Sequence, residues 1–250
     1  MRHEMAMTKN VRRFLAAVSD LMDRPHGLEG MGLLWGKPGE GKTTTLAYVA
    51  NQFNGIYVRA NRCWTVTAML GEICHELNLE RRRIKAQMIS PIIQALLENP
   101  SGPRPIFVDE ADYLLRQTDM LDTLRDIYDM VPGMAVILVG MEELAVKIRS
   151  TANGRFARRI TQEVKFSGID LADTKTVADD VCEMPIADDL LKHLHKAALG
   201  NIGRIVVGLS KIETFGRTTG AGDDNPVTLE LWGDRNLFYD QPTFGRRRSN

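Results

Sequence analysis

Charge of one sign is missing as an excess: 32 Lys plus Arg stand against 32 Asp plus Glu, a formal net charge of zero. No whole-molecule field draws in nucleic acid or an anionic membrane, so any such binding has to come from a local patch or from assembly. Cysteine is scarce as well. Cys63, Cys74 and Cys182 are odd in number and form neither CxxC nor a zinc spacing, so buried, reduced thiols of a cytosolic protein are expected rather than a disulfide or metal framework. No run approaches the ~18 consecutive apolar residues of a membrane span, and the opening MRHEMAMTKNVRRF lacks the apolar segment of a secretory signal. The expected location is the cytoplasm, of a bacterial host or with its nucleoid, and no membrane partner is expected. Five histidines form no ligand set with carboxylates or thiols. No GxSxG and no serine–histidine arrangement supports covalent catalysis.

What is present suits an ordinary globular chain: 250 residues, 44% hydrophobic and 26% charged, with Gly and Pro (21 and 10) well below low-complexity levels. Apolar residues at Phe14, Leu15, Val18, Leu21 and Met22 predict a helix over 11–22. Short, nearly continuous apolar runs predict strands at 31–35, 56–58, 105–108 and 136–139, with a fifth at 163–166. Helical periodicity separates them at 43–51, 65–77, 84–98 and about 121–130. Such runs indicate a mostly parallel sheet covered on both faces. From there on only helices are expected, at 171–182, 187–199 and 202–215. The organisation read from this is an α/β domain over 1–166, a small helical lid over 167–215 and a tail over 216–250. The tail carries Trp232, Phe238, Tyr239, Phe244 and Arg246-Arg247-Arg248 without sustained periodicity, and is expected to bind a partner or to stay disordered.

Two stretches carry chemistry. Gly36-Lys37-Pro38-Gly39-Glu40-Gly41-Lys42-Thr43 satisfies GxxxxGK[ST] after a buried strand and before a helix. Glycines let successive backbone N–H groups converge on phosphate oxygens, and the helix N-terminus, with Thr44 in its first turn, adds partial positive charge. Lys42 is assigned to the β and γ phosphates of ATP, and the Thr43 hydroxyl to Mg²⁺. Downstream, the strand ending in Asp109-Glu110 delivers two carboxylates to the sheet edge where ligands of open α/β sheets bind. Asp109 is assigned to Mg²⁺ through its water shell and Glu110 to polarising the attacking water. The pair favours ATP hydrolysis over nucleotide binding alone.

With GKPGEGKT, FVDEAD and a helical region after the sheet, the chain resembles the AAA+ ATPases. On GLLWGKPGEGKTTT, FVDEADYLL, LDTLRDIYDMVPGMAVILVGMEEL and GRFARRI it is most similar to the DNA-transposition branch, the Mu B, TnsC, TniB and IstB type. The resemblance implies a P-loop AAA+ fold with strand order 5-1-4-3-2 and a C-terminal lid. It also implies a homo-oligomeric ring or filament with nucleotide between subunits, completed by an arginine of the neighbour. Arg155 is the first candidate for that arginine and Arg158 and Arg159 are the alternates; Arg204, in GNIGRI, stands where the lid would carry a second contact to the γ phosphate. One departure matters. Many relatives end the fourth strand in Asn, Thr or Ser to orient water, whereas this chain has Val139-Gly140-Met141-Glu142, which implies slow basal hydrolysis that rises on assembly.

Arg59, Arg62, Arg81, Arg82, Arg83 and Lys85 are the expected contacts to double-stranded DNA, made through the phosphate backbone without strong sequence preference. Trp64 is assigned no role. The function implied is an ATPase that assembles on DNA, selects an integration target and activates a transposase. Two alternatives are a replication helicase loader and a nucleotide-controlled interaction switch that never touches DNA.

Overall fold

The computed structural model describes residues 1–2, 4–150, 154–222 and 225–239. The chain divides into two compact units, one spanning Asn10–Ser167 and the other running from Gly168 onward together with Met1–Lys9.

In the first unit the elements follow as α1 (Lys9–Met22), β1 (Met31–Trp35), α2 (Lys42–Gln52), β2 (Ile56–Arg59), α3 (Val66–Glu76), α4 (Ala86–Leu97) and β3 (Ile106–Asp109). A 3₁₀ segment (Ala111–Arg116) precedes α5 (Thr118–Met130), β4 (Val136–Gly140), α6 (Glu142–Ile148), α7 (Gly154–Ala157) and β5 (Ile160–Lys165). The five strands form one parallel sheet in the order β2-β3-β4-β1-β5, the expected order read from the opposite edge.

Period-two side-chain alternation explains why these apolar runs need cover on both faces. Met31, Leu33, Ile56, Val58, Ile106, Val108, Val136 and Leu138 point into a core shared with α3, α4 and α5. Leu34, Phe107, Ile137 and Val139 point the other way, onto Phe14, Val18 and Leu21 of α1 and Leu46 and Val49 of α2. Trp64 belongs to the first of these cores. Cys74 and Cys182 are buried free thiols, but Cys63 is exposed, because it lies in the turn that leads from β2 to α3.

β5 begins three residues earlier than its apolar content suggests. It is an edge strand, ITQEVK, with alternate residues only half-buried, so its pattern is weak. The 3₁₀ segment, α6 and α7 have no sequence signal; at six, seven and four residues they are too short to show a period.

In the second unit α8 (Leu171–Val181), α9 (Asp188–Ala198), α10 (Ile202–Thr219) and α11 (Leu229–Trp232) enclose a core of Val177, Leu190, Leu194, Ile205, Leu209 and Ile212. Asp170 and Asn201 cap α8 and α10 by accepting the Asp173 and Arg204 backbone N–H groups. Gly216 does not end α10, because the helix passes there against Met184 and Val227; Gly220 ends it in a left-handed cap. The segment 225–239 is folded onto this unit. Val227 pairs with Ile186 in an isolated bridge, and buried Trp232 meets Phe215 edge-on at 5.3 Å. Phe244 and Arg246-Arg247-Arg248 lie outside the described residues. Among the described residues no helix is long and apolar enough to cross a membrane.

Candidate active site

The C-terminal ends of β1 and β3 carry the two stretches that the sequence singles out, with β4 between them. Gly39 and Gly41 adopt φ values of 78° and 81°, a left-handed backbone that a side chain would strain, and α2 starts directly behind them at Lys42. No side chain caps α2, and its first turn holds no acidic residue, so its N–H groups remain available to an anion. Within the loop, the buried carboxylate of Glu40 accepts the Lys37 backbone N–H at 2.7 Å, which holds the turn closed from inside. Lys37, Pro38 and Gly39 are exposed, as are Thr43 and Thr44 on the first turn of α2, while Gly36 is buried.

The Lys42 ammonium donates to the carbonyls of Gly36 and Lys37 at 2.7 and 2.9 Å, lying over the loop. Burial pushes its pKa below the ordinary lysine value, and Glu40, Glu110, Asp112 and Asp109 oppose that shift. Four carboxylates therefore act electrostatically on one cation. A polyanion arriving here would take over the ammonium from two neutral carbonyls.

Asp109 is buried, and each of its oxygens accepts one hydrogen bond. Its Oδ2 accepts the Tyr57 hydroxyl at 3.1 Å, and its Oδ1 accepts the Glu110 backbone N–H at 2.9 Å. Burial, reinforced by the Asp109 charge, pushes the Tyr57 phenol up to about 12, so it remains a donor. Glu110 leaves the strand in a left-handed conformation, φ 53°, at a residue type for which this costs energy; such strain persists only where surrounding structure enforces it. Arg59 stands beside Asp109 in the parallel register, its Nε 4.0 Å from Asp109 Oδ2 and its Nη2 3.4 Å from Glu110 Oε1.

That position separates Arg59 from the basic residues with which the sequence groups it. Arg81, Arg82, Arg83 and Lys85 follow one another in the exposed connection between α3 and α4. There Arg81 pairs with Glu72 at 3.2 Å and Arg82 with Glu80 at 2.5 Å. Arg62 is exposed in the turn before α3. Of the three arginines near α7, Arg159 is tied down within its own chain. It makes a two-pronged pair with Asp129 at 2.9 and 2.7 Å and donates to the Arg155 carbonyl. Arg155 and Arg158 are exposed, and neither side chain has a partner among the described residues. Arg204 belongs to the helical unit, where its guanidinium stacks 4.3 Å over the Phe238 ring.

Two participants escape sequence reasoning. Tyr57 sits in a short strand with no motif around it. Asp112 carries a signal, since FVDEAD places it three residues after Asp109, but only the fold brings it to the end of β4, where it accepts the Met141 N–H at 3.0 Å. The donor set suits a magnesium nucleotide: an uncapped helix start and a lysine for phosphates, with the Thr43 hydroxyl and a buried carboxylate for a hard cation. Among the described residues no group of three or more His, Cys, Asp and Glu forms a separate metal centre.

Residues 26–148, slightly under half of the chain, match the family described as AAA domain. No curated protein sequence matches. Among solved structures the chain is similar to Cdc6p of Pyrobaculum aerophilum, at TM-score 0.63 and 16% identity over 85% of this chain and 62% of that one. It is similar to the ORC2 protein of Aeropyrum pernix in ADPNP–ADP complexes, at TM-score 0.71 and 16% identity over 92% and 68%. The ORC1 protein of Aeropyrum pernix in complex with DNA aligns at TM-score 0.61 and 14% identity over 89% and 63%. The chain thus spans less than two thirds of the Cdc6p and ORC1 chains. Sheet order, phosphate loop and these likenesses agree that the chain has the α/β fold of the P-loop AAA+ ATPases.

Proposed function

We propose that this protein is an ATPase that assembles on double-stranded DNA and works as a nucleotide-controlled organiser of a DNA transaction. The carrying observation is the convergence of Lys42, Asp109 and Glu110 on one end of the sheet, next to an uncapped helix start. Lys42 and the backbone N–H groups of Gly36–Thr43 bind the phosphates. Thr43 and Asp109 hold Mg²⁺, which when bound offsets phosphate charge. Glu110 accepts a proton from the water that attacks the terminal phosphate, and Tyr57 keeps Asp109 oriented.

An exposed arginine with no side-chain partner among the described residues suits a contact to a neighbouring subunit's nucleotide, which favours Arg155 and Arg158 over the ion-paired Arg159. The connection carrying Arg81, Arg82, Arg83 and Lys85 supplies the phosphate-backbone contact, with Arg62 as a further candidate. Arg204 remains a candidate for the γ phosphate, and would have to leave Phe238 to act there. On the resemblance described above, the transaction is transposition: the assembly marks the target and activates a transposase. The second reading is a replication initiator or helicase loader, favoured by the likeness to Cdc6p and ORC2 and to ORC1 in complex with DNA.

Electron microscopy of the protein with duplex DNA, with and without a non-hydrolysable ATP analogue, tests the shared core of both readings. Nucleotide-dependent rings or filaments on DNA are expected. Single copies at saturating nucleotide and DNA would rule out assembly. Arg155→Ala should then depress hydrolysis only at assembling concentrations, and added Lys42→Ala subunits, which still donate Arg155, should restore it.

A further inference from the structure

A third carboxylate stands at the sheet edge that neither the phosphate loop nor the Asp109–Glu110 pair accounts for. β4 runs between β1, which continues into the phosphate loop, and β3, which ends in Asp109. Its last residue, Gly140, is level with Trp35, immediately before the loop. The end of β4 therefore borders the place where the loop's terminal phosphate would lie, yet the strand offers no side chain there. The space is already taken. A Cβ on Gly140 would come within 2.3 Å of Asp112 Oδ2, 2.7 Å of Leu144 Cδ2 and 3.0 Å of Asp112 Cγ.

Asp112 reaches this spot because the chain turns sharply through the left-handed Glu110 and enters the 3₁₀ segment. Its carboxylate is anchored by one oxygen only. Oδ2 accepts the Met141 N–H at 3.0 Å, and no donor among the described residues reaches Oδ1. The carboxylate's bond to the Met141 N–H and its contact with Gly140 hold it at the end of β4, and it acts electrostatically on the Lys42 ammonium, as Glu110 and Asp109 do.

We propose that Asp112 supplies from the 3₁₀ segment after β3 what Gly140 omits from β4: its free Oδ1 holds the attacking water in line with the terminal phosphate while Glu110 takes the proton. This rests on the ATP-hydrolysis reading above and deepens it. The water oxygen forms the new bond to phosphorus as the bond to the departing ADP oxygen breaks. One water proton passes to Glu110 and the other stays hydrogen-bonded to Asp112, so Asp112 ends the step as it began. It is a positioning residue, and Gly140 is small because Asp112 needs the room.

The test uses full-length Asp112→Asn, Asp112→Ala, Gly140→Asn and the double variant Asp112→Ala/Gly140→Asn. Single-turnover hydrolysis, binding of ADP and of a non-hydrolysable ATP analogue, and thermal midpoints are measured. Asp112→Asn keeps an acceptor for Met141, so its midpoint should stay at the wild-type value while kcat falls by up to about 100-fold. Removing a charge from the terminal-phosphate end should also tighten the ATP analogue several-fold and leave ADP binding unaltered. Gly140→Asn alone should lower the midpoint through collision with Asp112. In the double variant the amide enters the vacated space, so the midpoint should rise above that of Gly140→Asn, short of the wild type's because Leu144 still crowds the position, and turnover should exceed that of Asp112→Ala by about ten-fold or more.

A carboxylate that only caps α6 would give wild-type turnover in Asp112→Asn, no change in the ratio of analogue to ADP affinity and no rescue by the second substitution, and would overturn the proposal. Failure of the broader reading looks different, because then the wild type itself does not hydrolyse ATP, or Glu110→Gln hydrolyses it normally. If the wild type turns over and Glu110→Gln does not, an unimpaired Asp112→Asn removes the role of Asp112 alone.

Discussion

The end of the sheet and the connection between α3 and α4 both gather charge, and they do so in opposite ways. At the sheet end each group is held. Asp109 accepts from Tyr57 and from a backbone N–H, Lys42 lies on two carbonyls, Glu40 braces its own loop, and Arg59 reaches two carboxylates. In the connection, every residue from Glu80 to Gln87 is solvent-exposed, and Arg81 and Arg82 have only surface pairs. A compact ligand reacting at one atom demands positions fixed in advance, because misplacement by about 1 Å costs up to 100-fold in rate. A polyelectrolyte asks only for charge near its backbone, since counterion release rewards proximity more than geometry.

Substitutions should therefore hurt far more at the sheet end. Glu110→Gln removes the proton acceptor at nearly constant shape. It should lower turnover by roughly 10²–10⁴-fold and leave ATP binding intact. Lys42→Ala should cost about 100-fold in nucleotide affinity, because charge-assisted hydrogen bonds worth about 1.5–3 kcal/mol each disappear. If titration calorimetry showed both variants binding, and an assay showed both hydrolysing, as the wild type does, the sheet end would have no chemical role.

Charge reversal of Arg81, Arg82 and Arg83 should act on DNA alone. The slope of log affinity against log salt should flatten by about 0.9 for each DNA phosphate that is no longer neutralised, with little change in DNA-free hydrolysis. A slope equal to the wild type's would remove the connection from the interface. Arg59 tests where the division lies. Half exposed, its pair with Glu110 is worth about 1 kcal/mol at most. Arg59→Ala should therefore release Glu110 from that pair and change DNA-free turnover by about five-fold or less, with the salt slope unchanged. A flattened slope would return Arg59 to the DNA-binding set.

This division also sets what can be read from the residues in order. The strand runs 31–35 and 136–139 and the loop 36–43 announce themselves locally, through nearly continuous apolar residues and a backbone that needs glycine at 39 and 41. The sheet order comes from the resemblance, because which strand lies beside which is a long-range fact that no local period contains. Arg59 groups with basic neighbours in sequence, while parallel register with β3 sets it beside Asp109. Arg159 looks equivalent to Arg155 until Asp129, thirty positions upstream, engages it in the fold. Gly216 reads as a helix stop because crowding by Met184 and Val227 is tertiary. Gly140 reads as a deficiency for the same reason, since Asp112 fills its place from the 3₁₀ segment that follows β3.

The last effect belongs to Tyr57, which links fold and site through a single hydroxyl and is expected to act on stability. Its phenol is pushed up to about 12 from an ordinary value near 10, because burial and the Asp109 charge disfavour the phenolate. A folded-state pKa above the unfolded one means that the stabilising contribution is complete below pH 10 and is lost as pH climbs through about 12. Tyr57→Phe removes that contribution, so the urea midpoint of the variant should fall less than the wild type's between pH 9 and pH 11. Lysines titrate in the same interval, but they are common to both proteins and cancel in the difference. Below pH 10 the variant should also be less stable by about 1.5–3 kcal/mol, the worth of a hydrogen bond to a charged acceptor. Parallel pH profiles for the two proteins would mean that the hydroxyl does not hold Asp109, and the sheet end would then be less constrained than the exposed connection makes it look.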